Sequence, residues 1–311
     1  MKTGFYSPIF EKIYNDYVTL IILHGQRFVN KITRFLCFAQ IIIIIIQLAQ
    51  KTGGLCNHKK GGIMILSLLG VCVMRKLLGL IRMACDKYHM IEEGDRIAVG
   101  VSGGKDSLAL LAGMKELQRF YPKRFELFAV MADPCFGKQP TDTSALEVMC
   151  KEWGVPLTVK RTELYEIIFE IREETNPCSM CAKMRRGILH DTAKQLGCNK
   201  VALGHTVDDA VETFYMNLFS CGKIGCFQPV TYLSRKDITM IRPMLYAEEK
   251  DSIRVCDKLN LPIIESKCPA NEQTNREDMK QLVAELNRTY PGLINKTIGA
   301  MERREIDGWK E

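Results

Sequence analysis

From residue 74 onward the apolar positions follow two periods that alternate along the chain. Residues 74–89 carry apolar side chains at helical spacing among Arg75, Lys76 and Arg82, and predict a basic helix closed by the turn Glu92-Glu93-Gly94-Asp95. An apolar run over 96–101 reads as a buried strand. Leu108-Ala109-Leu110-Leu111-Ala112-Gly113-Met114 then has the density of a buried helix, reaching to about residue 120. Tyr121-Pro122-Lys123-Arg124 breaks that helix before a second strand over 125–132, which ends at Asp133-Pro134. A helix over 143–153, a strand over 156–160, a helix over 185–196 and a strand over 200–204 continue the alternation. The pattern predicts an α/β fold, a mainly parallel doubly wound sheet with helices on both faces. Right-handed crossovers bring the C-terminal ends of the strands to one edge, where ligands bind. Ser102, Asp133 and Gly204 fall on that edge, so one cleft can collect them.

The first residues break this pattern. Residues 1–63 hold eight Lys/Arg against Glu11 and Asp16, a net +6 of the chain's +7, which leaves about +1 for residues 64–311. The basicity therefore belongs to this segment and does not mark the remainder as a nucleic-acid binder. Six consecutive isoleucines, Ile41 to Ile46, lie in an apolar run too short for a helix of about 20 residues that would span a bilayer. The run also starts late for a signal peptide, and no small-residue cleavage site follows it. An isoleucine homopolymer is what AT-rich DNA gives when read as codons. Lys59-Lys60-Gly61-Gly62 before Met64 is what a purine-rich ribosome-binding site would encode. The expectation is a start at Met64 or Met74, with a membrane anchor as the alternative; no stable membrane association is expected unless residues 1–63 are native. The expected division is 1–73 as an N-terminal segment, 74–265 as the α/β domain and 266–311 as a helical C-terminal extension. Thirteen cysteines without a secretion signal fit a reducing cytoplasm rather than a disulfide framework. Cys150, Cys198 and Cys256 read as small hydrophobes on helices.

Chemistry enters at Ser102-Gly103-Gly104-Lys105-Asp106-Ser107, between the first strand and its helix. Gly103 and Gly104 allow the backbone close to a phosphate, and the unpaired N–H groups of the helix end face it. The loop is not a Walker A motif, since Gly-x-x-x-x-Gly-Lys-Ser/Thr is absent. A nucleotide pyrophosphate site is expected on it.

Three further groups lie downstream. Cys178-Ser179-Met180-Cys181 is a single CxxC, which alone admits a metal, dithiol chemistry or neither. Lys183, Arg185 and Arg186 behind it are expected to lower a thiol pKa and could also meet phosphate. In Gly204-His205-Thr206-Val207-Asp208-Asp209-Ala210-Val211-Glu212-Thr213 a strand end runs into an acidic helix start. There, one carboxylate can cap the helix, while Asp208 and Asp209 together suit Mg2+ beside a phosphate. His205 either contacts nucleotide or packs. Cys268, before Pro269-Ala270, adds a third thiol to Cys178 and Cys181, and three thiolates can hold an iron–sulfur cluster.

These groups, with Arg185-Arg186-Gly187-Ile188-Leu189, Ile241-Arg242-Pro243, Glu249-Lys250-Asp251 with Ile253, and Tyr290-Pro291-Gly292, stand in the order found in one family. From about residue 74 to 301 the chain resembles the TtcA group of PP-loop ATP pyrophosphatases, tRNA thiolases that make 2-thiocytidine in the anticodon loop. The resemblance implies an adenine-nucleotide α-hydrolase-like fold and an ATP- and Mg2+-dependent tRNA sulfurtransferase. It implies a 4Fe–4S cluster on Cys178, Cys181 and Cys268, and ATP on Ser102 to Ser107 with Asp133, Gly204 and His205. Asp106 would act in catalysis and, with Asp208 and Asp209, serve Mg2+. The implied partners are tRNA and a cysteine desulfurase or other sulfide source; a homodimer is possible, but the residues leave the oligomeric state open. The chain departs from the family where a second CxxC would stand, having Cys268 alone. Two other classes remain open on the residues: a PP-loop ligase of the lysidine type, and a non-enzymatic ATP- or cluster-binding regulator.

Overall fold

The computed structural model describes residues 74–172, 177–270 and 275–310, so the expectations for the N-terminal segment lie outside the described residues. Helix α1 covers residues 74–87. Strand β1 (Asp95–Gly100) leads through the glycine loop into α2 (Lys105–Leu117), and β2 (Phe125–Asp133), α3 (Ser144–Glu152) and β3 (Leu157–Arg161) follow. Then come α4 (Pro177–Gln195), β4 (Lys200–Ala202), α5 (Val207–Cys221), β5 (Val230–Leu233), β6 (Ile238–Ile241) and α6 (Glu249–Leu259). Helices α7 (Asn275–Thr289) and α8 (Leu293–Arg303) end the fold.

The strands form one six-stranded sheet in the order β3-β2-β1-β4-β6-β5, parallel throughout except for the edge pair β5–β6. The order reverses between β1 and β4, and at such a switch point the loops after the two strands part and leave a crevice. The glycine loop after β1 and Gly204-His205 after β4 flank it.

Period-two alternation in β1 and β2 divides the core. Ile97, Val99, Leu127, Ala129 and Met131 face α1, α2, α3, α5 and α6, while Ala98 and Val130 face α4 through Leu189 and Ala193. Both faces are covered, as near-continuous apolar strands require. The C-terminal helices join the larger core through Met279, Val283, Ile298 and Met301. Trp309 is fully buried and its Nε1–H donates to Phe227 O at 2.9 Å, which fastens the chain end to the loop before β5.

Most predicted elements fall within two residues of their observed ends. Helix α4 differs: it starts at Pro177, eight residues before the expected start. Proline suits a first helical turn because its missing N–H has no intrahelical partner to lose. The CxxC pair is therefore helical. The β5–β6 hairpin was not expected, because each strand has only four residues and a turn of polar residues joins them.

Helix α5 begins with a capping box. Thr206 Oγ1 accepts from Asp209 N, and Thr206 N donates to Asp209 Oδ2 at 2.7 Å. Thr206→Ala is expected to lower unfolding free energy by about 1 kcal/mol. Chemical denaturation checks this, and an unchanged midpoint would mean the box carries no stability.

Candidate active site

The glycine loop is held by its own hydroxyls. Ser107 Oγ accepts from Ser102 N at 3.1 Å and donates to Gly104 O at 2.8 Å. Ser102 Oγ accepts from Gly104 N at 3.3 Å. Gly103 has φ +85°, and a Cβ there would lie 2.8 Å from Ile264 Cβ. Ile264 N donates to Gly103 O at 2.9 Å, so the segment after α6 braces the loop from outside. Gly104 is the N-cap of α2 in ordinary extended geometry, with no side chain capping the helix. Its first-turn N–H groups and positive dipole end therefore face the crevice, which suits an anion. Gly204 serves packing instead. A Cβ there would come 2.9 Å from Asp106 O, so glycine lets the end of β4 meet the first turn of α2.

The acidic residues separate by environment. Asp106 is largely shielded and its Oδ1 has no hydrogen-bond partner; burial pushes its carboxyl above the usual range. Lys105 Nζ bridges Asp106 at 3.1 Å and Glu249 at 2.8 Å. Asp208 Oδ2 accepts from Glu249 N at 2.7 Å and so caps α6, and burial raises its carboxyl as well. Asp209 is the carboxylate that caps α5, and its Oδ1 receives Arg276 Nη2 at 2.8 Å. Arg276 Nε also reaches Glu212, which burial raises to about 7. A small cavity of about 180 Å3 is lined by Asp106, Asp208, Asp209, Glu212 and Glu249, with Lys105, Arg276 and Lys280 as counter-charges. Of this set Asp106, whose Oδ1 has only the Ser252 hydroxyl nearby, is the carboxylate least engaged and so best suited to a cation, whereas both oxygens of Asp209 are held. Among the described residues no three His, Cys, Asp or Glu side chains are already gathered as a metal site.

Asp133 lies at the end of β2, and its carboxylate accepts from Cys135 N, Thr141 N and Thr141 Oγ1 at 3.0, 2.9 and 2.7 Å. It folds the loop 134–141 over the sheet edge. That loop lines a cavity of about 240 Å3 shared with Ser102, Arg185, Ile264 and Lys267. A larger cavity of about 480 Å3 opens beside it, lined by Ser102, Ala182, Arg185, His205 and Arg242 among others.

The thiols approach these cavities from two sides. Cys178 and Cys181 lie in the first turns of α4, and Cys268 follows the cavity segment 264–267. Cys178 and Cys268 both stand close enough to Cys181 to act on its thiol. Burial raises the Cys181 thiol, with Arg185 opposing. This corrects the expectation that the basic turn lowers it: at Cys181 desolvation outweighs the single guanidinium that reaches the sulfur. Cys150, Cys198 and Cys256 are buried, and burial raises each to about 11, as inert core thiols require.

His205 packs its ring 4.9 Å from that of Phe227, and its buried Nδ1 has no partner. Burial lowers its pKa from 6.5 to about 4. Between those values the unfolded chain binds a proton that the folded one refuses, so stability falls as pH drops from 6.5 toward 4. Melting temperatures of wild type and His205→Asn are expected to diverge in that window, with the variant less sensitive to acid. Parallel curves would mean the imidazole is not desolvated.

Residues 75–286 match the model of the PP-loop domain family. The tRNA-cytidine(32) 2-sulfurtransferase of Syntrophotalea carbinolica is 41% identical over 232 residues, which cover 74% of this chain and 89% of that protein. The enzyme of the same name from Pelobacter propionicus is 37% identical, over 74% of this chain and 86% of that protein. The chain belongs to the PP-loop tRNA-cytidine 2-sulfurtransferase family. Among solved structures, the U34-tRNA thiolase NcsA from Methanococcus maripaludis, determined with its [4Fe-4S] cluster, superposes with a TM-score of 0.61 at 23% identity. That alignment covers 75% of this chain and 79% of NcsA and supports the PP-loop fold.

The sequence motifs singled out the loop, the thiols and the acidic pair. They assigned no role to Arg242, Phe227, Glu212 or Arg276. Arg242 stands inside a motif that carries the resemblance and Glu212 three residues beyond another, which was the available signal. Arg276 lies 67 residues from Asp209, and nothing local marks the pairing.

Proposed function

We propose that this protein is an ATP-dependent tRNA sulfurtransferase that adenylates O2 of an anticodon-loop cytidine and replaces that oxygen with sulfur. One observation carries the reading. Ser102 of the glycine loop lines two adjoining cavities whose other walls run into Cys181, through Ala182, and into Cys268, through Lys267. The phosphate cradle and the chain neighbours of two of the thiols thus line adjoining cavities.

The oxygen on C2 of a pyrimidine is a poor leaving group. Attack of O2 on the α-phosphate of ATP expels pyrophosphate and turns that oxygen into part of AMP, a good leaving group. Sulfide sulfur then adds at C2, and AMP departs. The α2 N–H groups and Lys105 would hold the pyrophosphate charge as it develops. To do so Lys105 must leave Glu249 or Asp106, both of which it touches without nucleotide. Asp106, with Asp208, would hold Mg2+, which when bound screens the phosphate oxygens. Cys178, Cys181 and Cys268 would hold a 4Fe–4S cluster, which when bound leaves one iron without a protein ligand and open to sulfur. The donor type fits, three thiols from two segments with Cys178, Cys268 and Arg185 all acting on the Cys181 thiol, although among the described residues the three are not already gathered as a metal site. Sulfide would come from a cysteine desulfurase or another source. Free thiols among the described cysteines accord with work in the cytoplasm. No described helix is long and apolar enough to cross a membrane.

The target base must leave its stack to reach the loop, which is easier in an anticodon loop than in a duplex. Arg185 and Arg186 of α4 are suited to the RNA backbone, whereas Lys76 and Arg82 of α1 are paired with Asp251 and Asp86. Incubation with ATP, Mg2+, sulfide and tRNA is expected to release pyrophosphate only when tRNA is present, with 2-thiocytidine as product. Release driven by a free amino acid instead would point to a ligase.

A further inference from the structure

Helix α7 of the C-terminal extension brings to the ligand edge a cation that the scheme above leaves idle. Arg276 stands in its first turn, directly after Asn275. Among the described residues it alone lines both the acidic cavity of about 180 Å3 and the larger cavity of about 480 Å3. Lys105, Asp106 and Asp208 line the first, beside the start of α2. Gly100, Val130 and His205, at or near the C-terminal ends of β1, β2 and β4, line the second, onto which Ser102 of the glycine loop also opens. Arg276 Nη2 donates to Asp209 Oδ1 at 2.8 Å and Nε to Glu212 Oε2 at 3.4 Å, while Nη1 donates to no described residue. Asp209 is itself fixed by the capping box of α5, so it holds the guanidinium in place. The Arg276 side chain is 47% exposed, so a ligand can reach it without opening the core.

We infer that Arg276 holds the α-phosphate of ATP, and that the C-terminal extension in this way completes the adenylation site. The inference rests on the sulfurtransferase reading above and adds a phosphate ligand to it. The order of groups along the nucleotide decides which phosphate is held. With adenosine in the larger cavity and pyrophosphate on the α2 N–H groups beside the acidic one, the α-phosphate is the group that crosses between them. A guanidinium suits that place, because it is always charged, carries donors only and matches phosphate oxygens in its plane. Of these two spaces Lys105 lines only the acidic one, and Arg185 and Arg242 only the larger. As O2 of the cytidine bonds to the α-phosphorus, the bond from that phosphorus to the bridging oxygen breaks, and its electron pair leaves on pyrophosphate. A cation already fixed by Asp209 stabilises the other α-oxygens through this exchange and keeps its own protons. It then stays on the same phosphate in the adenylated base until AMP departs.

The test uses the full chain loaded with its cluster, with AMP, adenosine and ATP as probes. Wild type, Arg276→Gln, Arg276→Lys and Arg288→Gln, a change in the last turn of α7, are compared for equilibrium affinity and for tRNA-dependent pyrophosphate release. For Arg276→Gln, AMP affinity is expected to fall about 10-fold or more, the worth of one hydrogen bond to a charged oxygen. Adenosine affinity should move less than about two-fold, the size of a remote surface change. The kcat of pyrophosphate release should fall about 100-fold, as when one preorganised donor is lost, with KM for tRNA nearly unchanged. Arg288→Gln should match wild type in every readout. Arg276→Lys keeps the charge, and it decides the matter if Arg276→Gln fails to fold. Its AMP affinity should fall while adenosine affinity holds, because one ammonium cannot serve Asp209 and the phosphate together. Equal losses for AMP and adenosine would leave Arg276 a clasp that docks α7 on Asp209 and Glu212. Unchanged AMP affinity, or a wild type that binds AMP no tighter than adenosine, would leave it a surface ion pair. Each of these results overturns the inference, whereas a wild type that releases no pyrophosphate with tRNA would instead overturn the sulfurtransferase reading.

Discussion

Gly104→Val is expected to fold normally and to lose ATP. Gly104 sits at φ −77°, a conformation open to any residue, and a Cβ there would meet only Ser102 Oγ, at 3.4 Å. Fold stability should therefore change by no more than about 0.5 kcal/mol. The branched side chain would instead occupy the space above the α2 N–H groups, where pyrophosphate must approach. Losing two hydrogen bonds to charged oxygens removes about 3 kcal/mol, or at least 100-fold in affinity. Equilibrium ATP binding alongside a thermal melt measures both quantities. Gly103→Val serves as the contrast. With φ +85° and Ile264 Cβ 2.8 Å from the added carbon, it should cost about 1–3 kcal/mol of stability as well. Normal ATP binding by folded Gly104→Val would remove the loop from the nucleotide site.

The second large effect falls on the thiols. Protein prepared without oxygen is expected to be brown, with about four irons and four sulfides per chain. Serine at Cys178, Cys181 or Cys268 should abolish both iron content and thiolation if, as proposed, each supplies one ligand to a cluster with no spare. ATP binding should survive all three substitutions, because none of the three cysteines belongs to the glycine loop or lines the cavities that open on it. Cys150→Ser and Cys198→Ser should keep the cluster, as those side chains are buried in the core at some cost to stability. Iron and sulfide quantification settles the set. Stoichiometric zinc with no iron would make the site structural.

Where periodicity was strong, the sequence announced the fold. The β1–α2 and β2–α3–β3 units were legible because the strands are largely apolar and bounded by Gly, Pro or acidic turns. The glycine loop was legible because its residues are contiguous. The start of α4 was hidden by Pro177 and the two cysteines, which look like a loop until the helix is seen to begin on them. The hairpin β5–β6 was hidden by its shortness, and its strand β6 is held in place by pairing with β4 across the sheet. The site was half legible for the same reason. Asp208 and Asp209 read as equivalent neighbours, yet one caps α6 and the other caps α5 and binds Arg276. That difference is set by helices brought in from far along the chain. The unsatisfied Nε of Arg242 and Nδ1 of His205 likewise depend on what packs around them, which no local pattern records.

Mass spectrometry of nucleosides from bulk tRNA of a strain lacking this gene tests the central claim most directly. The account predicts that 2-thiocytidine disappears, returns with the intact gene, and stays absent when the gene carries Cys268→Ser. Loss of a thiouridine with 2-thiocytidine retained would contradict the assigned base and keep the chemistry. Persistence of every thionucleoside would contradict sulfur transfer itself.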